Sequence, residues 1–211
     1  MKPFANDSHR PAARIRHGYI PATNWSRALE AVAQDGGILM RQVFKPRRLS
    51  QLRAALAKCS LSPALEHIGE VHQRAEVGTL SIGQSLPAVH GTAAWLTRRL
   101  QGRGWRPNEA NIMAYSGPGA GITPHRDHRR YILLIAILSI SGIARFRIVA
   151  DRAGCNVVHD WQCKPGDLVL LRAPSLADPV DGSDPRPLHA VYGPLAGRRV
   201  SLTFRMDEGK R

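Results

Sequence analysis

With 211 residues the chain is long enough to bury a sizeable core in one domain, and 43% hydrophobic with 22% charged residues excludes a disordered or fibrous polymer. Thirty Lys and Arg against sixteen Asp and Glu leave a net charge of +14, which favours polyanionic partners, nucleic acid before acidic membrane surfaces. Three cysteines without a CxxC exclude a disulfide framework, and no apolar run approaches the roughly 20 residues of a membrane span, so the expectation is a monomeric cytoplasmic protein that does not enter membranes.

Residues 1–18 are polar and basic without periodicity, and read as a flexible arm. "GGILMRQVF" (36–44) reads as a short strand after a glycine pair. In "KPRRLSQLRAALAKCSL" Pro46 stands near a helix start, with Leu49, Leu52, Leu56 and Ala57 at helical spacing. The opposite face carries Arg47, Arg48, Arg53 and Lys58. Residues 63–86 read as loop with short elements. "LPAVHGTAAWLTRRLQGRG" (86–104) reads as a second helix stopped by Gly102 and Gly104. From Asn111 onward short β-prone runs alternate with Gly- and Pro-rich turns, as in "NIMAY", "RYILLIAILSI", "ARFRIVA", "DLVLLR" and "RRVSLTFRM". Helices first and strands after predict an α+β fold with an antiparallel sandwich, jelly roll or barrel. Trp25, Trp95, Trp105 and Trp161 are expected as packing anchors.

Two stretches carry candidate chemistry. In "HRDHRRYILLIAIL" (125–138), His125 and Asp127 share one face of an extended chain, with Arg126 turned away. An imidazole and a carboxylate pointing together make two corners of a metal site, although a surface ion pair fits the same spacing. Two histidines and one carboxylate is the ligand set that suits non-haem Fe(II) oxygenases. In "HAVYGPLAGRRVSLTFR" (189–205), Arg199, Ser201, Thr203 and Arg205 alternate with Val200, Leu202 and Phe204. An ordinary half-exposed strand and a carboxylate-binding wall both satisfy that alternation.

Taken together, these motifs resemble the Fe(II)/2-oxoglutarate-dependent dioxygenases, and among them the AlkB-like family. Its pattern is an HxD, a distal His and a terminal strand R-x-N-x-T-x-R, preceded by a tyrosine and a glycine-containing turn. Here these are His125-Arg126-Asp127, His189, the strand Arg199 to Arg205, and Tyr115 in "MAYSGPGAGITPHRD". The resemblance covers residues 111–206. It implies a double-stranded β-helix with supporting N-terminal helices, in a single domain over 19–211. Residues 19–110 would supply helical support and a substrate lid, and 111–206 the core. It implies that His125, Asp127 and His189 ligate Fe(II), and that Arg199 pairs with the far carboxylate of 2-oxoglutarate. Tyr115 and Ser201 would hydrogen-bond that cosubstrate, and Arg205 would lie near its metal-bound end or the substrate. The implied activity, with molecular oxygen as cosubstrate, is oxidative demethylation of nucleic acid bases, as in DNA repair, with release of succinate, carbon dioxide and formaldehyde.

The chain departs from that pattern at four places. Ser201 stands where Asn is usual, and Met113 precedes the tyrosine by two, with Asn111 further upstream. The residues after the HxD are His128, Arg129 and Arg130 instead of acids, so Arg126, Arg129 and Arg130 become candidate substrate contacts. No Phe, Tyr or Trp lies between Phe44 and Trp95. Two other functions are therefore carried forward: a hydroxylase of a small acidic molecule or a protein side chain, and a catalytically silent nucleic-acid-binding protein.

Overall fold

A computed structural model describes residues 19–21, 24–84, 86–100, 104–177, 182–194 and 196–210. The arm expected over 1–18 lies outside the described residues. In chain order the elements are β1 (Tyr19–Pro21), α1 (Trp25–Asp35), β2 (Gly37–Arg41), α2 (Pro46–Leu56), β3 (Ser62–Pro63), β4 (His67–Ile68), β5 (Val71–Arg74), β6 (Glu76–Ser81) and α3 (Pro87–Arg99). There follow β7 (Glu109–Ser116), β8 (Gly121–His125), β9 (Tyr131–Ser141), β10 (Ala144–Val149), β11 (Val157–Cys163), β12 (Leu168–Arg172), β13 (Leu188–Tyr192) and β14 (Arg198–Asp207).

The strands form two sheets, in the orders β1-β2-β12-β9-β14-β7-β6-β3 and β11-β10-β13-β8-β5-β4. From β7 to β14 the chain crosses between the sheets at every connection except the β10–β11 hairpin, which winds a double-stranded β-helix. All three helices contribute buried residues to one core on the outer face of the larger sheet. Val32, Leu49, Leu52, Leu96 and Trp105 pack there with Leu138, Leu202 and Phe204. A second core fills the space between the sheets, with Tyr115, Ile135, Ile137, Phe146, Trp161 and Leu171. This explains the uninterrupted apolar run of β9: its strand is central, and each of its faces meets a core.

Helix α1 was not foreseen in the sequence, although its signals are there. The Asn24 side chain accepts a hydrogen bond from Arg27 N at 3.1 Å, and Gly36 ends the helix at φ 81°. Trp25, Ala28 and Val32 form its buried stripe. The stretch 63–86 is also more ordered than its composition suggests, because β6 pairs along β7 over six residues. Trp25, Trp105 and Trp161 are buried, and Trp105 Nε1 donates to Leu134 O at 2.7 Å. No helix among the described residues is long and apolar enough to cross a membrane.

Candidate metal centre

Strands β8 and β13 pair antiparallel, and their register sets His125 directly opposite His189. The ring centroids are 4.3 Å apart. Each imidazole is fixed by a carbonyl two residues upstream: His125 Nδ1 lies 2.9 Å from Thr123 O, and His189 Nδ1 lies 3.1 Å from Pro187 O. A carbonyl can only accept, so each Nδ1 carries the proton and each Nε2 presents a lone pair. Phe146 stacks on the His189 ring at 5.4 Å and fixes its plane.

Asp127 arrives differently from the strand-alternation expectation. Strand β8 ends at His125, and Asp127 belongs to the loop that follows. Its position is set by arginines: Arg186 Nη1 donates to Asp127 O at 2.6 Å, and Arg205 donates to Oδ1 from Nη2 at 2.6 Å and from Nε at 3.1 Å. Arg126 is consequently not turned away, and it lines the same cavity. With Oδ1 occupied, Oδ2 is buried without a hydrogen-bond partner, 3.5 Å from His189 Nε2. One ligand atom from each of His125, Asp127 and His189 falls within 4.8 Å of the others, which is the spacing of three groups that could hold one cation.

Burial, aided by His125, pushes the His189 imidazole down to about 4, and burial also lowers His125. Burial opposes ionisation of Asp127 too, but Arg205 and the two imidazoles outweigh it and hold the carboxyl at about 2. At neutral pH the site therefore offers two neutral imidazoles and a carboxylate, the protonation state that ligation needs. A pH dependence follows for the metal-free protein. Between pH 6.5 and about 4 the unfolded chain binds a proton at His189 that the folded chain refuses, so stability falls as pH falls through that window. The displacement corresponds to about 3 kcal/mol at most. Urea midpoints at pH 7 and pH 4.5 will measure it, and His189→Leu should flatten the difference.

The same cavity, of about 390 Å³, extends to Tyr115, Arg199, Ser201 and Thr203. Arg199 and Tyr115 face each other across β14 and β7. The Arg199 guanidinium is 1% exposed; its Nη1 donates to Ser201 Oγ at 3.1 Å, it lies 5.4 Å from the Tyr115 ring, and its Nε has no hydrogen-bond partner. Burial raises the Tyr115 phenol, keeping it a neutral donor. Of the two readings that the β14 alternation allowed, the half-exposed strand is not the one found: Arg199, Ser201, Thr203 and half-buried Arg205 line the cavity, while Leu202 and Phe204 enter the helix-side core.

Other sequence candidates fall in less central places. Arg205 is committed to Asp127 and to Asn111 Oδ1, and Asn111 Nδ2 in turn donates to Thr79 Oγ1 at 2.9 Å. Arg126 Nε donates to Arg186 O at 3.0 Å. Arg129 is exposed, 3.7 Å from Asp184. Arg130 turns from the cavity to Asp207 (3.3 Å) and the Tyr131 hydroxyl (2.8 Å), drawn by the buried carboxylates of Asp207 and Glu109. Sequence reasoning missed Arg186, Thr79 and Phe146. The 199–205 alternation could have led to Asn111, whose register partner is Thr203; Arg186 sits in an irregular loop that carries no periodic signal.

Arg205→Gln leaves the three candidate ligands in place and removes the charge that orients Asp127. The expected loss in Co(II) or Fe(II) affinity is about 10–100-fold, measured by anaerobic titration, the range typical of residues that hold a ligand.

No protein-family model and no curated protein sequence matches the chain. Solved structures do. A 2OG-Fe(II) oxygenase family oxidoreductase from Burkholderia pseudomallei superposes with a TM-score of 0.64 at 13% identity, over 92% of this chain and 93% of that one. The fold is that of the 2-oxoglutarate/Fe(II) oxygenases. A Pseudomonas putida prolyl-4-hydroxylase gives 0.60 at 20% identity over 87% and 98% of the two chains, and OsALKBH1 gives 0.55 at 14% over 81% and 98%. This oxygenase fold therefore spans nearly the whole of each of these chains.

Proposed function

We propose that this chain is an Fe(II)- and 2-oxoglutarate-dependent dioxygenase of AlkB-like type, and that its substrate is a methylated nucleic acid base. The observation that carries the reading is a complementary pair of unmet needs in one cavity. At one end a buried carboxylate oxygen stands beside two Nε2 lone pairs. At the other a buried guanidinium has no carboxylate partner among the described residues. Asp127 is the single acid in the lining, against Arg126, Arg199 and Arg205. A divalent cation and a dicarboxylate answer both needs at once.

Bound ferrous ion would supply the activation of dioxygen. The balance is 2-oxoglutarate, oxygen and an N-methyl group giving succinate, carbon dioxide and an N-hydroxymethyl group, which collapses to formaldehyde and the free base. The chain's own contribution is positional. His125, Asp127 and His189 would hold the metal from one side, leaving the other for ligands. Arg199, with Tyr115 and Ser201, would orient the keto acid by its far carboxylate. Ile135, Ile137 and Phe146 belong to the apolar core that keeps bulk water from the closed side. Arg126 at the mouth and exposed Arg129 beyond it share one acid, Asp184, and this excess of positive charge, with the net +14 of the chain, is what supports nucleic acid here.

A second reading keeps the enzyme and changes the substrate to a small acid or a protein side chain. What favours it is the strand pair β4–β5, which brings Ile68 and Val71 to the mouth and carries no Phe, Tyr or Trp for a base to stack on, its rings being the imidazoles of His67 and His72, packed on each other at 4.3 Å. Anaerobic addition of Fe(II) and 2-oxoglutarate should give a visible charge-transfer band. Coupled succinate and formaldehyde release with N-methylated oligonucleotides supports demethylation. Succinate release with carboxylate substrates or peptides alone selects the second reading. Absence of both the band and turnover leaves a silent binding protein.

A further inference from the structure

We infer that the outer face of α2 and α3 is a docking surface for the phosphate backbone of nucleic acid, separate from the metal centre. The inference stands on the helical layer and does not rest on the assignment of the cavity. The chain has no Asp or Glu between Asp35 and Glu66, and none between Glu76 and Glu109. Both helices fall in these acid-free stretches. Lys45, Arg47, Arg98 and Arg99 are exposed, and Arg48 is half-buried between the helices. Among the described residues none of the five forms an ion pair with a carboxylate, whereas Arg126, Arg129, Arg130, Arg145, Arg147 and Arg198 all do. Arg48 is lowered by burial and by the neighbouring charge of Arg98, so the patch is a site of like-charge repulsion that an anion would relieve.

The cations are also held in place. Trp95 packs edge-on against Trp25 (5.4 Å) and Phe44 (4.9 Å). Over this aromatic base lie Arg48, 5.1 Å from the Trp95 ring centroid, and Arg99, at 5.5 Å; Arg48 Nη2 donates to Gly91 O at 3.2 Å. Guanidinium groups stacked on rings keep their edges available for phosphate oxygens and lose less freedom on binding than extended side chains. The large exposed apolar residues of the described chain, Leu65, Ile68, Ile143 and Tyr192, all lie outside α2 and α3. A membrane surface site would need apolar side chains to insert as well as cations. A phosphate backbone needs only the cations.

The larger sheet separates this patch from the metal centre, since α2 and α3 pack on its outer face and the cavity opens between the sheets. Nucleic acid held here is therefore gripped by its backbone, without a base in the cavity.

The test uses the full-length protein and unmodified, fluorescently labelled 24-mers, single- and double-stranded, with anisotropy read across a salt series. Arg47→Glu/Arg98→Glu/Arg99→Glu is the patch variant, and Arg126→Gln/Arg129→Gln is the mouth variant. The patch variant should lose at least tenfold in affinity. For duplex its slope of log affinity against log salt should flatten by about 2.7, three phosphate contacts at about 0.9 each. Its 2-oxoglutarate binding should be unchanged, and an unchanged circular dichroism melt establishes that it folds; Arg47→Gln/Arg98→Gln/Arg99→Gln serves if the reversal melts early. The proposal is overturned if the patch variant binds like wild type, or if the loss appears in the mouth variant alone. It is equally overturned if wild type binds no oligonucleotide at 50 mM salt, prefers phosphatidylserine vesicles, or binds poly-glutamate of equal length as tightly.

Discussion

Asp127→Ala should neither bind Fe(II) nor release succinate above the protein-free background. The side chain has two separable duties. Oδ2 is the single anionic donor among the three candidate ligands, and Oδ1 neutralises Arg205. Its removal raises the net charge of the cavity lining by one, leaving three arginines and no acid around the position a dication must occupy. It also strands a guanidinium that is 16% exposed, so the variant should be less stable as well as inactive. Asp127→Asn separates the effects, because it keeps the shape and an acceptor for Arg205 while removing the charge. Metal binding should fail in both variants, and the thermal midpoint should fall further in Asp127→Ala. Retained Fe(II) binding in either one removes the basis for the metal centre.

Arg199→Met should abolish measurable 2-oxoglutarate binding and stabilise the ligand-free protein. Truncating one partner of a buried charge pair costs about 2–5 kcal/mol, or roughly 30-fold to several thousandfold in affinity. The gain in stability arises because the ligand-free chain buries Arg199 with only Ser201 Oγ and the Tyr115 ring for company. Replacing such a charge by an apolar side chain of similar length commonly gains about 1 kcal/mol or more. In wild type, adding 2-oxoglutarate with Co(II) should raise the thermal midpoint by linkage; in Arg199→Met it should not. A variant that is less stable than wild type without ligand would mean that Arg199 has a structural role instead.

Much of the site was legible because β-strand chemistry repeats every two residues. The alternation of Arg199, Ser201, Thr203 and Arg205 in the sequence is the alternation that lines the cavity. His125 and His189 stood apart by 64 positions, and only strand pairing could reveal that they face each other. The placement of Asp127 was less accessible. Its orientation depends on Arg205 and on Arg186, a loop residue with no periodic context. The fold class followed from helices first and strands after, yet β2 and β6, from the part of the chain before residue 111, extend the larger sheet on either side. Helix α1 was less legible because its buried stripe is only Trp25, Ala28 and Val32, and its strongest signals are the two caps, Asn24 and Gly36, that bracket it. Arg126, Arg129 and Arg130 looked alike in sequence, but Arg130 is drawn to Asp207 and Glu109, Arg129 is exposed near Asp184, and of the three only Arg126 lines the cavity.

The engagement of one Asp127 oxygen by Arg205 has a consequence for handling the protein. Two nitrogens and a single oxygen form a poor cage for calcium or magnesium, which prefer all-oxygen surroundings, so millimolar amounts of either should leave the centre untouched. The late first-row ions are the competitors, because their affinity for such a mixed donor set rises along the series from manganese to copper. A preparation eluted from nickel resin should therefore carry nickel and be inert until stripped with a chelator and reloaded without air.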